Sequence, residues 1–205
     1  MSTDPWFYNW QFLGENKERL KGCIIDIGCG TSKYKPFLVG MHEQNTYVGV
    51  DYYVSDKVDH VIDLNKTFPL PADTYDAAIC ISVLEHLREP LLCLQETFRI
   101  LKPGGSLILS APWIYPFHDV PEDFFRFSRK ALEMMLQKSG FEIISIEPTG
   151  GRWHVCLVFL RYWLPVGHRL YARLERLIKR PLASEHESPR YRNCPSHHVI
   201  ARKPV

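Results

Sequence analysis

Hydrophobic and polar positions follow two periods along this chain. Short apolar runs bounded by Gly, Pro, Asn or Asp read as strands, and longer segments with apolar residues every third or fourth position read as helices. The strands predicted this way are 23–27 (CIIDI), 47–51 (YVGVD), 60–63 (HVID), 76–81 (DAAICI), 106–110 (SLILS), 141–147 (FEIISIE) and 197–202 (HHVIAR). A first helix is expected near 6–20. A second follows Pro90 in REPLLCLQETFRILKPGG, where Pro suits a first turn and Pro-Gly-Gly forms a stop. A third begins at Ser128 as N-cap, with Phe127 stapled onto Leu132 and Gly140 closing it. The link from Asp51 to His60 is too short for a crossover helix and predicts a loop or a single turn. Strands alternating with helices specify an α/β domain with a mostly parallel sheet.

Length and composition narrow the class. With 205 residues, 45% of them hydrophobic, the chain suits one globular domain rather than two. The N-terminus MSTDPWFYNWQFLGENKERL lacks the basic and apolar regions of a signal peptide, so a cytoplasmic location is expected. The six cysteines are scattered, several within apolar runs, and read as reduced core thiols. None forms a CxxC pair, and no metal site is expected. Charge is uneven. Residues 1–149 hold 14 Lys/Arg against 20 Asp/Glu, a balance of −6, while residues 150–205 hold 11 against 3, a balance of +8. The basic end is a candidate contact surface for anions.

In a doubly wound sheet the ligand lies outside the carboxyl ends of the strands, where strand order reverses. Gly28 and Gly30 close the first strand and let backbone approach a ligand. Asp26 lies within that strand, Asp51 at the tip of the second and Asp63 at the tip of the third. A carboxylate at the second tip can accept hydrogen bonds from a ribose diol. Lys33 occupies the third glycine position of a dinucleotide fingerprint, which counts against a nicotinamide cofactor.

The motifs IIDIGCGTS, VGVD, VIDL, YDAAICISVLEHL and ETFRILKPGGSLILSAP occur in order. With them the chain resembles a class I S-adenosylmethionine-dependent methyltransferase, of the broad group that includes the ubiquinone-biosynthesis type of enzyme. The likeness extends through HDVPEDFFRFSRKALEMMLQKSGFEIISIE and ends at HHVIARK, leaving 151–190 as an apolar and basic insertion in a single domain. The resemblance implies a Rossmann-like sheet of seven strands, the last reversed, with helices on both faces. It also implies S-adenosyl-L-methionine as cofactor. Gly28, Cys29 and Gly30 would lie against its amino-acid part, with Asp26 orienting the amino group. Asp51 would hold the ribose, Tyr52 would pack on the adenine, Asp63 and Leu64 would reach the adenine edge, and Ser82 would lie near the methionine portion. Where the family usually has its third loop glycine, this chain has Ser32. Glu85 and His86 are expected in a structural role, opening a helix beside the cofactor.

Methyl transfer from a sulfonium needs alignment and exclusion of water, and a base only where the acceptor holds a proton. The acceptor side is expected from APWIYPFHDVPEDFFRFS and the insertion. His118, beside Asp119, is the candidate general base, with Tyr115 weaker, and Asp123 with Arg126 could form a structural ion pair. The [DN]-P-P-[YF] motif of amide and exocyclic-amine methyltransferases is absent after the fourth strand. The expected acceptor is therefore an oxygen or carbon of a small-molecule, sugar or lipid-linked substrate, and no nucleic-acid partner is expected. Residues 153–166 are apolar but too short for a membrane span. Residues 168–180 form a basic amphipathic pattern, which suits either inward packing or peripheral contact with an anionic membrane through 153–180. A second reading is a methyltransferase-like domain that acts as a binding or scaffold unit without catalysis.

Overall fold

The computed structural model describes residues 5–118, 121–163 and 193–205. Its centre is one sheet of seven strands: β1 (Cys23–Ile27), β2 (Thr46–Asp51), β3 (His60–Val61), β4 (Tyr75–Ile81), β5 (Leu101–Pro112), β6 (Glu142–Thr149) and β7 (Ser196–Arg202). They lie in the order β3-β2-β1-β4-β5-β7-β6. All neighbours are parallel except β7, which runs antiparallel to both β5 and β6. This is the expected Rossmann-like sheet with its last strand reversed. The chain moves outward from β1 to β3 and then returns to the other side of β1, so strand order reverses between β1 and β4.

Strand residues alternate between two cores because successive side chains point to opposite faces. Ile25, Ile27, Ala78, Cys80, Leu107, Leu109, Val199 and Ala201 face a cluster built with α3 (Pro90–Ile100) and α4 (Arg129–Lys138). Ile24, Ala77, Ile79, Ile81, Ile108 and Ile200 face a second cluster built with α1 (Pro5–Glu15) and α2 (Lys35–Met41). Helices therefore cover both faces, which is why the central strands read as continuous apolar runs.

Several boundaries differ from those predicted. Helix α1 stops at Glu15, where the Asn16 side chain turns back to donate to the Phe12 carbonyl at 2.9 Å, and a 3-10 turn (Lys17–Arg19) follows. Strand β3 has only two residues, because the Asp63 carboxylate accepts the Asn65 amide at 3.0 Å and turns the chain. Helix α3 ends at Ile100, before Pro103-Gly104-Gly105, which lies inside the irregular start of β5, where Gly104 and Gly105 exchange backbone hydrogen bonds with Lys203. Helix α2 was not signalled: in seven residues its fully buried contribution is Leu38. The insertion opens with α5 (Arg152–Trp163), while the amphipathic segment 168–180 lies outside the described residues. Among those described, no helix is long and apolar enough to cross a membrane.

Candidate active site

A cleft of about 850 Å³ opens at the carboxyl ends of β1, β2 and β4, beside the reversal of strand order. Of the residues expected to hold the cofactor, Gly28, Gly30, Asp51, Tyr52, Asp63, Leu64 and Ser82 line it. Asp26 and Cys29 do not: both are buried beneath the loop. His118 is also outside the lining, behind His86, with their ring centroids 5.1 Å apart.

The glycine loop is held from below. Gly28 and Cys29 both donate their amides to the Val50 carbonyl, and Gly30 donates to Asp51 Oδ2 at 2.8 Å. The other carboxylate oxygen, Oδ1, accepts the Tyr53 amide at 3.0 Å. Asp51 thus ties the loop to the tip of β2, and second lone pairs on its oxygens remain for a ligand diol. Gly28 has φ +70°, and a Cβ there would strike the methyls of Val83. Ser32, in place of the family's glycine, also takes a left-handed backbone (φ 52°), and its hydroxyl donates to the Lys57 carbonyl at 2.6 Å. Gly49 on β2 leaves the space that Cys29 Sγ and Ser32 Oγ fill.

Electrostatics divide the buried groups from the lining. Burial raises the Asp26 carboxyl to about 7, against the opposing effect of the hydrogen bond from Tyr47 Oη at 2.7 Å. Burial likewise pushes the Cys29 thiol to about 11, so this thiol is no nucleophile. The Asp63 carboxyl is held below the usual range by the Asn65 amide and then Lys66, whose Nζ is 3.0 Å away. Ser82 ends β4 in a left-handed conformation (φ 55°), with its amide on the Ser110 carbonyl at 3.0 Å. Such backbone strain collects at functional sites.

The remaining wall was not anticipated. Asn65 lines the cleft and its Oδ1 accepts the amides of Arg88 and Glu89 at the start of α3, a cap supplied from 23 residues away in sequence. Tyr53 Oη donates to Glu122 Oε2 at 3.2 Å across the mouth, and Phe124 lies beside it, under the Arg88 guanidinium. His86, expected to be structural, is on the cleft wall within a 3-10 turn (Leu84–His86), and its Nδ1 is 2.6 Å from the Glu122 carbonyl oxygen. The ion pair expected between Asp123 and Arg126 is present. Burial raises the Asp123 carboxyl, yet Arg126 and the His118 amide bring it below its ordinary value. Arg126 also donates to the carbonyls of Tyr115 and Pro116, so it knits together the loop that carries His118.

The family model described as a methyltransferase domain matches residues 6–146. This chain belongs to that methyltransferase family. Among curated relatives, the domain is 37% identical over 106 residues to the ubiquinone biosynthesis O-methyltransferase of Xanthomonas campestris, covering 42% of this chain and 41% of that one. It is 27% identical over 158 residues to the tRNA U34 carboxymethyltransferase of Desulfotalea psychrophila, covering 64% and 49%. The chain spans about half the length of the curated relatives it matches. Among solved structures, a SAM dependent methyltransferase from Aquifex aeolicus superposes with a TM-score of 0.60 at 17% identity, over 95% of this chain and 89% of that one. The Haemonchus contortus phosphoethanolamine N-methyltransferase 2 in complex with S-adenosyl-L-methionine superposes with a TM-score of 0.61 at 15% identity, over 95% and 52%. At these identities the superpositions establish the methyltransferase fold.

Proposed function

We propose that this methyltransferase domain transfers the methyl group of S-adenosyl-L-methionine to an oxygen or carbon of a small-molecule, sugar or lipid-linked acceptor. The observation that carries the reading is the way the glycine loop spends its amides. Gly28, Cys29 and Gly30 donate into β2 rather than towards the cleft, so the loop offers no nest of N–H groups for a pyrophosphate. The acids Asp51 and Asp63 instead line the cleft, which suits a ligand with a ribose diol, an adenine edge and a positive charge. In this reading Asp51 receives the ribose hydroxyls, Tyr52 covers the adenine, and Asp63 and Leu64 meet its edge. Gly28, Gly30 and Ser82 flank the methionine end, above Asp26 and Cys29.

Transfer is an in-line displacement: the acceptor atom forms a bond to the methyl carbon as the carbon–sulfur bond breaks and sulfur keeps the electron pair. A hydroxyl acceptor must also lose its proton. We place that loss at His118, whose ring lies against that of His86 on the cleft wall. The likeness to a ubiquinone biosynthesis O-methyltransferase supports an oxygen acceptor of the phenol type, and the absence of the amide-methylating motif points away from nucleobase nitrogen.

Two measurements test the reading. Calorimetry with S-adenosylhomocysteine should show one cofactor site per chain; no binding would favour the scaffold alternative. Incubation with methyl-labelled donor should then label catechol- or hydroquinone-type phenols, and label entering only a tRNA transcript would overturn the acceptor class.

A further inference from the structure

We propose that Arg88 selects an acceptor that carries a carboxylate beside the hydroxyl to be methylated. This rests on the methyl-transfer reading above and narrows its acceptor class. The cofactor assignments leave one wall of the cleft unused, and the Lys, Arg and Glu side chains on that wall are Lys66, Arg88 and Glu122. Lys66 is paired with Asp63, 3.0 Å away, and Glu122 accepts the Tyr53 hydroxyl at 3.2 Å. Arg88 differs from both. Among the described residues its guanidinium makes no ion pair, and it lies over the Phe124 ring, 5.7 Å from the centroid.

Both halves of that contact are fixed from behind. The Arg88 amide donates to Asn65 Oδ1 at 2.7 Å, and the Phe124 amide donates to the Glu85 carbonyl at 2.8 Å. The side chains themselves are exposed, so the pair faces the cleft rather than closing a core.

A guanidinium over an aromatic ring spends its face there and keeps the N–H groups along its edge, in the fork that matches the two oxygens of a carboxylate. Phe124 adds an apolar surface for an aromatic acceptor beside that fork. The acids of the cleft do not oppose a single negative charge: Asp63 has Lys66, Asp51 holds the loop, and the cofactor brings a sulfonium and an ammonium. A phosphate dianion would add a second charge beside Asp51, Asp63 and Glu122, with one unpaired cation to meet it. No bond forms or breaks at Arg88; it holds one end of the acceptor while the hydroxyl at the other meets the methyl carbon.

The test is calorimetry on the full chain with catechol and with its carboxylated counterpart protocatechuate, each with and without saturating S-adenosylhomocysteine. Protocatechuate should bind about tenfold more tightly than catechol, and the margin should shrink as salt rises. Arg88→Met keeps a flexible stem over Phe124 and should erase the margin. Arg88→Lys should keep part of it, since the charge stays and the fork is lost. A merely structural role would shift both phenols alike. No binding of protocatechuate, equal affinity for the two phenols, or a margin that Arg88→Met leaves intact overturns the proposal. So does a loss of about tenfold or more in the S-adenosylhomocysteine affinity of Arg88→Met, which would place the guanidinium on the cofactor. A missing margin with intact cofactor binding sinks the Arg88 proposal alone. A wild type that fails to bind S-adenosylhomocysteine sinks the methyl-transfer reading, and the margin measured without cofactor then still decides what Arg88 recognises.

Discussion

Asp51 does two things with one carboxylate: it anchors the glycine loop through Gly30 and Tyr53 and faces the ligand at the tip of β2. Asp51→Ala should therefore weaken S-adenosylhomocysteine binding by roughly ten- to a hundredfold, about 1 to 3 kcal/mol, measured by calorimetry. Asp51→Asn should fall between, since its amide oxygen can still accept one of the two backbone N–H groups. Unchanged affinity in folded protein would remove the ribose assignment. His118→Asn should lower turnover by about a hundredfold with cofactor affinity unchanged, because the imidazole takes the acceptor's proton. Turnover within a few-fold of wild type would return His118 to ordering its loop. At this scale, the residues legible beforehand were those whose type alone restricts their use: glycines at positive φ and acids at strand tips. Asn65 and His86 were not legible because Asn and His serve many roles, and theirs depend on partners 23 and 36 residues away.

Helix α4 displays what local sequence does well. Ser128 accepts the Ala131 amide at 3.2 Å as its N-cap, and Leu132, Met135 and Leu136 repeat at helical spacing on the buried face. Phe127 and Leu132 lie in the same core cluster. Ser128→Ala should cost about 1 kcal/mol, read as a fall of roughly 2 to 4 °C in melting temperature. No change would show that packing alone holds this end. Gly140 closes the helix at φ +94°, under the ring of Phe98. Helix α2 and the start of β5 escaped because neither carries its own signal. The former is too short for a periodic pattern, and the latter is irregular, pairing Leu101 with Tyr75 and closing Gly104 and Gly105 onto Lys203, far away in sequence.

For the whole molecule, three of the buried titratable groups among the described residues pull in opposite directions as pH changes. Burial lowers His197 to about 4 and His198 to about 3, the latter held against Asn9 at 2.9 Å and stacked on Phe12, while burial raises Asp26 to about 7. Between about pH 4.5 and 6 the unfolded chain binds two protons on the histidines that the folded one refuses. The folded chain binds one on Asp26 that the unfolded one releases. Over these three groups the net difference is one proton in favour of the unfolded state, a contribution that raises stability with pH across this window by about 1.4 kcal/mol per unit. Asp26→Asn removes the opposing proton and should steepen the slope by about 1.4 kcal/mol per unit in denaturant titrations of the protein without ligand. An unchanged slope would mean that Asp26 is ionised in the fold. The sequence by itself determined the strands, the glycine loop and the acids at the strand tips, because periodicity, backbone freedom and charge are properties of a residue and its near neighbours. Only the tertiary structure decided that Asp26 and Cys29 lie beneath the cleft while His86 lines it. It alone also seated His197 and His198 in β7 within the core and drew Glu85, His86 and His118 together. Burial and convergence are set by which distant segments pack against each residue, and no local pattern encodes that.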